Sequence, residues 1–135
     1  MKVVLDTNVF ISGVFFSGPP SEILNAWRDR RLQLVVSAEI LDEYRRVGER
    51  LAATHPGVEV ASLLMLVAIH GEVVLAPPLP EPVCDDPTDD VFFACAVAAG
   101  CPVIVSGDKH LHGASGYREV AVYRPRAFVD KFLAS

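Results

Sequence analysis

Cysteine is scarce in this sequence: Cys84, Cys95 and Cys101 are its only three, with no CxxC pair and one necessarily left over. A disulfide framework and a zinc cluster are both excluded by that pattern, which suits free thiols in a reducing compartment. Basic residues are also short. Twelve Lys+Arg stand against 17 Asp+Glu, a formal net charge of −5. Non-specific nucleic-acid affinity comes mainly from Lys and Arg neutralising phosphates, so the balance weighs at first against such a partner. Long apolar runs are missing too, because the uncharged stretch Val91 to Ser106 is interrupted by Gly100 and Pro102. Nothing spans a bilayer, and the N-terminus meets Asp6 too soon for a secretory leader. What remains is a chain of 135 residues, 51% hydrophobic, able to bury a core without covalent staples. Without repeats or low-complexity tracts, residues 1–135 read as one soluble, cytoplasmic domain.

The acid excess is local. Glu81, Asp85, Asp86, Asp89 and Asp90 fall within ten residues that hold no Lys or Arg. Part of this is explained by a helix start: Asp86 suits an N-cap, Pro87 the first helical position and Asp89 the positive end of the helix dipole. Asp90, one position deeper, is not required by capping.

Short apolar runs mark five strands: Lys2 to Leu5, Leu32 to Val36, Val73 to Leu75, Pro102 to Val105 and Val120 to Tyr123. Between them the spacing predicts helices over Ser21 to Arg30, Ser37 to about Leu51, Val58 to His70, Thr88 to Ala99 (closed by Gly100) and Arg126 to Leu133. The residues after Leu5 read as a polar loop. Strands alternating with helices indicate an α/β fold with a central parallel sheet. Pro77, Pro78, Pro80 and Pro82 form a stiff connector too short to link domains.

Three further acids are placed by this reading. Asp6 ends the first strand and Asp108 follows the fourth, in the segment Val105-Ser106-Gly107-Asp108-Lys109-His110. Ligands of open α/β sheets bind outside such strand ends. On the helix opened by Ser37, Ile40, Tyr44, Val47 and Leu51 form the apolar stripe, and Glu43 lies about 60° from its centre at ~100° per residue. There it either looks into a cleft or pairs along the helix surface. Carboxylates gathered in one place resist joint ionisation unless a cation joins them. All-oxygen ligands favour Mg²⁺ or Mn²⁺, and the histidines and cysteines lack zinc spacing. Asn8 and Ser106 are candidates for orienting the carboxylates, or for local turn bonding. Lys109 and His110 are weaker candidates for a phosphate contact, since a His110-x-His112 loop pair usually faces solvent.

In Leu5-Asp6-Thr7-Asn8-Val9, Gly18-Pro19-Pro20, Ser37-Ala38-Glu39-Ile40-Leu41-Asp42-Glu43-Tyr44, Asp86-Pro87-Thr88-Asp89-Asp90-Val91-Phe92-Phe93-Ala94-Cys95-Ala96 and Val105-Ser106-Gly107-Asp108, the chain resembles the PIN domain. The likeness is to the bacterial group of toxin components related to VapC. Each motif is weak alone, but their order along nearly the whole chain is specific. The resemblance implies a three-layer α/β/α sandwich, Rossmann-like, with strand order 3-2-1-4-5. It assigns an acidic quartet to Asp6, Glu43, Asp90 and Asp108, with Asp90 preferred because it directly precedes the apolar helix. Asp86 and Asp89 are auxiliary acids, and Ser106 stands where the family has Thr.

The implied activity is Mg²⁺- or Mn²⁺-dependent hydrolysis of RNA phosphodiesters, with Asp6, Asp90 and Asp108 holding metal and Glu43 a further ligand or water-positioning base. Cys95, in an apolar helix without a base partner, suits packing rather than nucleophilic attack. A haloacid-dehalogenase-like phosphatase would need an acid where Asn8 stands. A receiver domain would need an Asp where the third strand runs into Ala76-Pro77-Pro78, and a partner-binding module without nuclease activity would not need the quartet. The resemblance further implies a small antitoxin partner and a homodimer. Two arginine groups, Arg28, Arg30 and Arg31 or Arg45, Arg46 and Arg50, are candidates for gripping RNA or protein.

Overall fold

The computed structural model describes residues 1–134. Five strands, β1 (Lys2–Leu5), β2 (Gln33–Ser37), β3 (Glu72–Val74), β4 (Val103–Val105) and β5 (Ala121–Tyr123), form one sheet. Every pairing is parallel and the order is β3-β2-β1-β4-β5, as the family resemblance implied. β1 is the central strand, and Val3, Val4 and Leu5 are buried on both sides. An apolar run without alternation is what a strand covered on both faces requires.

Seven helices flank the sheet: α1 (Thr7–Phe15), α2 (Pro19–Arg28), α3 (Ala38–Ala52), α4 (Val60–His70), α5 (Asp90–Ala99), α6 (Lys109–Gly113) and α7 (Pro125–Phe128). α7 continues into a wider π-type turn over Val129–Leu133. α1 packs on α2 and α3, α3 on α4, and α2 on α7, while α5 lies along β1, β2 and β4. No helix among the described residues is long and apolar enough to cross a membrane.

Two differences from the sequence reading bear on the site. The supposed polar loop after β1 is α1, whose N-cap is Asp6: its carboxylate accepts a hydrogen bond from the Asn8 amide at 3.4 Å. This helix is held by tertiary packing, since Phe10 stacks on Tyr44 with ring centroids 4.1 Å apart. α6 was likewise not expected; Asp108 caps it through the His110 amide at 2.7 Å. Five residues are too few to stand out by periodicity, and the side-chain cap stabilises their first turn.

α5 is apolar nearly all round, with Phe92, Phe93, Cys95 and Ala96 buried, which suits a helix enclosed by the fold. Gly100 at φ 63° closes it in the left-handed conformation that glycine adopts without cost. The short turn to β4 leaves the first turn of α5 over the end of the sheet where β1 and β4 finish.

Candidate active site

Register brings the site together. Leu5 pairs with Val105, so the next residues, Asp6 and Ser106, emerge side by side from β1 and β4. The Asp6 amide donates to the Val105 carbonyl at 3.0 Å, and the Ser106 hydroxyl donates to Asp6 Oδ2 at 2.6 Å. Ser106 Oγ in turn accepts the Asp108 amide at 2.9 Å. One buried hydroxyl therefore orients both strand-end acids.

Glu43 arrives from α3. Its neighbour Tyr44 is buried and donates its hydroxyl to the Leu5 carbonyl, clamping α3 to the end of β1. Glu43 Oε2 accepts the Thr7 hydroxyl at 2.8 Å. Thr7 is buried and was not singled out from sequence; its position directly after the strand-end acid was the only signal. Asn8 contributes its backbone amide to Asp6.

Asp89 and Asp90 separate. Asp90 Oδ2 and Oδ1 accept the amides of Val83 at 3.2 Å and Cys84 at 2.7 Å, fastening the proline-rich connector to the start of α5. At the third position of the expected quartet, each Asp90 oxygen therefore already accepts a backbone amide, whereas the neighbouring Asp89 carries an unpartnered buried oxygen. The reason is helical geometry, because adjacent residues on a helical turn point about 100° apart. Asp89 feels Asp108, Asp86 and Asp6 as like charges, and its Oδ2 is buried with no hydrogen-bond partner.

The electrostatics agree with this grouping. Burial raises the Asp6 carboxyl above the usual carboxylate range, and Asp108 and Glu43 add to the rise against the lowering bonds from Ser106 and the Asn8 amide. Burial, reinforced by Asp108, pushes Asp89 up to about 6. Both shifts come first from burial, and the neighbouring like charges add to it. Among the described residues no three His, Cys, Asp or Glu side chains already converge at ligating distance. The orphaned Asp89 oxygen is the kind of donor an oxygen-coordinated divalent ion takes up.

The remaining candidates divide as follows. Asp86 is an exposed cap, accepting the Thr88 amide at 3.0 Å and hydroxyl at 2.8 Å, and Thr88 holds its carboxyl below the usual range. Lys109 is exposed at the start of α6. His110 Nδ1 stands 3.9 Å from Asp85 at the rim. His112 turns inward: its Nε2 lies 2.6 Å from the Ser106 carbonyl, so that nitrogen carries the hydrogen and braces the strand end. Burial pushes the Cys95 thiol up to about 12, which keeps it protonated and inert.

A five-stranded parallel sheet with carboxylates where β1 and β4 end places the chain among Rossmann-like α/β folds that carry their sites at the strand ends. Residues 2–110 match the family model described as PIN domain, and the chain belongs to that family. PIN domains are in general nucleases and typically use divalent metals. The chain is also similar to an uncharacterized protein of Methanocaldococcus jannaschii, 29% identical over 144 residues, covering 98% of this chain and 92% of that protein.

Proposed function

We propose that the protein is a divalent-cation-dependent endoribonuclease whose site comprises Asp6, Glu43, Asp89 and Asp108. The observation that carries this reading is the buried, unpartnered Oδ2 of Asp89 beside Asp6 and Asp108. Asp6, Asp89 and Asp108 are the residues to hold Mg²⁺ or Mn²⁺. When bound, such an ion lowers the pKa of an attacking water and offsets charge on the phosphate and leaving oxygen.

The chain's own groups prepare that site. Ser106 holds Asp6 in one rotamer through its 2.6 Å bond, and the His110 amide does the same for Asp108. Thr7 leaves Glu43 one oxygen free, suited to orient water or serve as a further ligand. No side-chain nucleophile is needed, in keeping with the protonated cysteines.

The motif resemblance supports the finer reading of a cytoplasmic toxin with a small antitoxin partner and a homodimeric state. Solution mass and co-purification with the neighbouring gene product test those points. The central test is digestion of total cellular RNA by purified protein with Mn²⁺, with EDTA, and with Asp6→Asn. Cleavage confined to wild type with Mn²⁺ is expected; metal-independent cutting of equal strength by Asp6→Asn overturns the mechanism.

A further inference from the structure

The two arginine groups differ once folded. Arg45 is bound to Asp42 at 2.7 Å and Glu49 at 3.3 Å, and Arg46 to Asp42 at 3.1 Å, which leaves Arg50 alone of that group without an ion pair among the described residues. Arg28, Arg30 and Arg31 have no carboxylate within ion-pair distance among the described residues, although Asp29 lies between them. All three line a concavity of about 570 Å³ with Trp27, Leu66 and His70, a size typical of small-ligand sites.

This pocket lies at the opposite end of the strands from the acids. Met1 and Gln33, where β1 and β2 begin, also border it. Asp6 is five residues along β1, roughly 17 Å away at about 3.3 Å per residue. The pocket is therefore not an extension of the candidate active site.

Its chemistry is specific. Each helix C-terminus facing it, of α2 and α4, carries about half a negative charge, and Asp29 adds one; three guanidiniums outweigh them. Arg30 holds φ 62° at the residue after the α2 cap, where its amide bonds Trp27 O and the Arg31 amide bonds Ala26 O. Glycine is the residue that this left-handed turn favours. An arginine kept there sets a guanidinium on the rim despite the backbone cost. Arg31 is tethered by Nη2 to the Leu133 carbonyl at 2.8 Å, which orients its remaining donors. Planar guanidinium forks match phosphate oxygens, and the apolar side chains of Trp27 and Leu66 in the lining suit a base.

We propose that this pocket binds a nucleoside phosphate, and that its source is an RNA strand anchored here at a distance from the cleavage site. The choice of strand over free nucleotide rests on the nuclease reading; the phosphate chemistry does not. The test is fluorescence anisotropy of a labelled dodecauridylate on the full chain in EDTA, with uridine monophosphate and an oligoglutamate peptide as competitors. The expected result is wild-type binding that falls at least tenfold in Arg28→Gln/Arg30→Gly, with a salt dependence shallower by about 0.7 in log–log slope per lost contact. Arg30→Gly alone is expected to weaken binding while melting no lower than wild type, because glycine relieves the turn; this separates lost contacts from lost fold.

Unchanged affinity in the double variant overturns the pocket. Displacement by uridine monophosphate at the same concentration as unlabelled dodecamer overturns the strand assignment, and equal displacement by oligoglutamate overturns the nucleotide assignment. Arginine-dependent binding without Mn²⁺-dependent cleavage refutes the nuclease reading alone. Cleavage without arginine-dependent binding refutes the pocket alone.

Discussion

Ser106 donates its hydroxyl to Asp6 across 2.6 Å, joining residues 100 positions apart in the chain. The parallel register of β1 and β4 dictates this meeting, and the same oxygen accepts the Asp108 amide. Ser106→Ala removes both bonds inside a buried site and is expected to cost about 1–3 kcal/mol, the scale for unsatisfied buried groups. Metal-dependent cleavage should fall with it. Ser106→Thr keeps the hydroxyl and should restore most of both. Chemical denaturation and an RNA-cleavage time course measure the two effects, and equal behaviour of the Ala and Thr variants would refute the bridging role.

Asp89 and Asp90 should respond oppositely to amidation. Asp89→Asn is expected to abolish cation-dependent cleavage and to raise the melting temperature in EDTA, because it relieves a crowded carboxylate. Asp90→Asn turns an amide NH₂ toward one of the Val83 and Cys84 N–H donors, and is expected to lose about 1–3 kcal/mol of stability with cleavage retained. Inactivity of both variants, with only Asp89→Asn destabilised, would restore Asp90 to the site.

The pH dependence has a definite sign. Asp89 is pushed up to about 6 from 3.8, so the folded state binds its proton more tightly than the unfolded chain does. Its penalty to the fold is absent below about pH 4 and fully developed above 6. The stability of wild type relative to Asp89→Asn, without divalent ions, should therefore decline as pH rises from 4 to 7. Urea midpoints across that range measure it; a flat difference would mean that Asp89 is neither buried nor crowded in the folded state.

Divalent cations should reverse that penalty. Millimolar Mg²⁺ or Mn²⁺ is expected to raise the melting temperature of wild type more than that of Asp6→Asn or Asp108→Asn, since a ligand stabilises only the state that binds it. Equal shifts would mean that the acids do not form one site.

Gly13 tests the α1–α2 packing that carries Thr7 into place. Alanine normally stabilises a helix interior relative to glycine by up to about 1 kcal/mol. Here the added Cβ would stand 2.7 Å from the Pro20 carbonyl oxygen and 2.8 Å from Leu24 Cδ1. Overpacking of this kind costs about 1–3 kcal/mol, so Gly13→Ala is expected to be destabilising overall. A raised denaturation midpoint would show that α2 yields.

Much of this architecture is written locally. Uninterrupted runs such as Val3-Val4-Leu5 and Val103-Ile104-Val105 mark buried parallel strands, and Ser37 and Gly100 bound their helices by capping chemistry that needs only near neighbours. α1 was not legible, because its stability comes from Phe10 stacking on Tyr44, a contact between distant segments. Thr7 went unremarked, and His112 was expected to face solvent, for the same reason: each acquires its role from a partner, Glu43 or the Ser106 carbonyl, that the fold supplies.

The sequence by itself determined that acids gather at strand ends and at the start of one helix, since strand and helix boundaries follow from side-chain periodicity and caps. Only the tertiary structure decided which of two adjacent aspartates is bound by backbone amides and which keeps a buried oxygen free. A rotation of about 100° per residue and two free amides in the connector, at Val83 and Cys84, claim Asp90 and leave Asp89 without a partner. It likewise decided which arginines stay uncommitted, because ion pairing depends on what a folded surface brings within reach. The scarcity of basic residues thus matters less than their placement: Arg45 and Arg46 are neutralised on α3, and Arg28, Arg30 and Arg31 form no ion pair among the described residues.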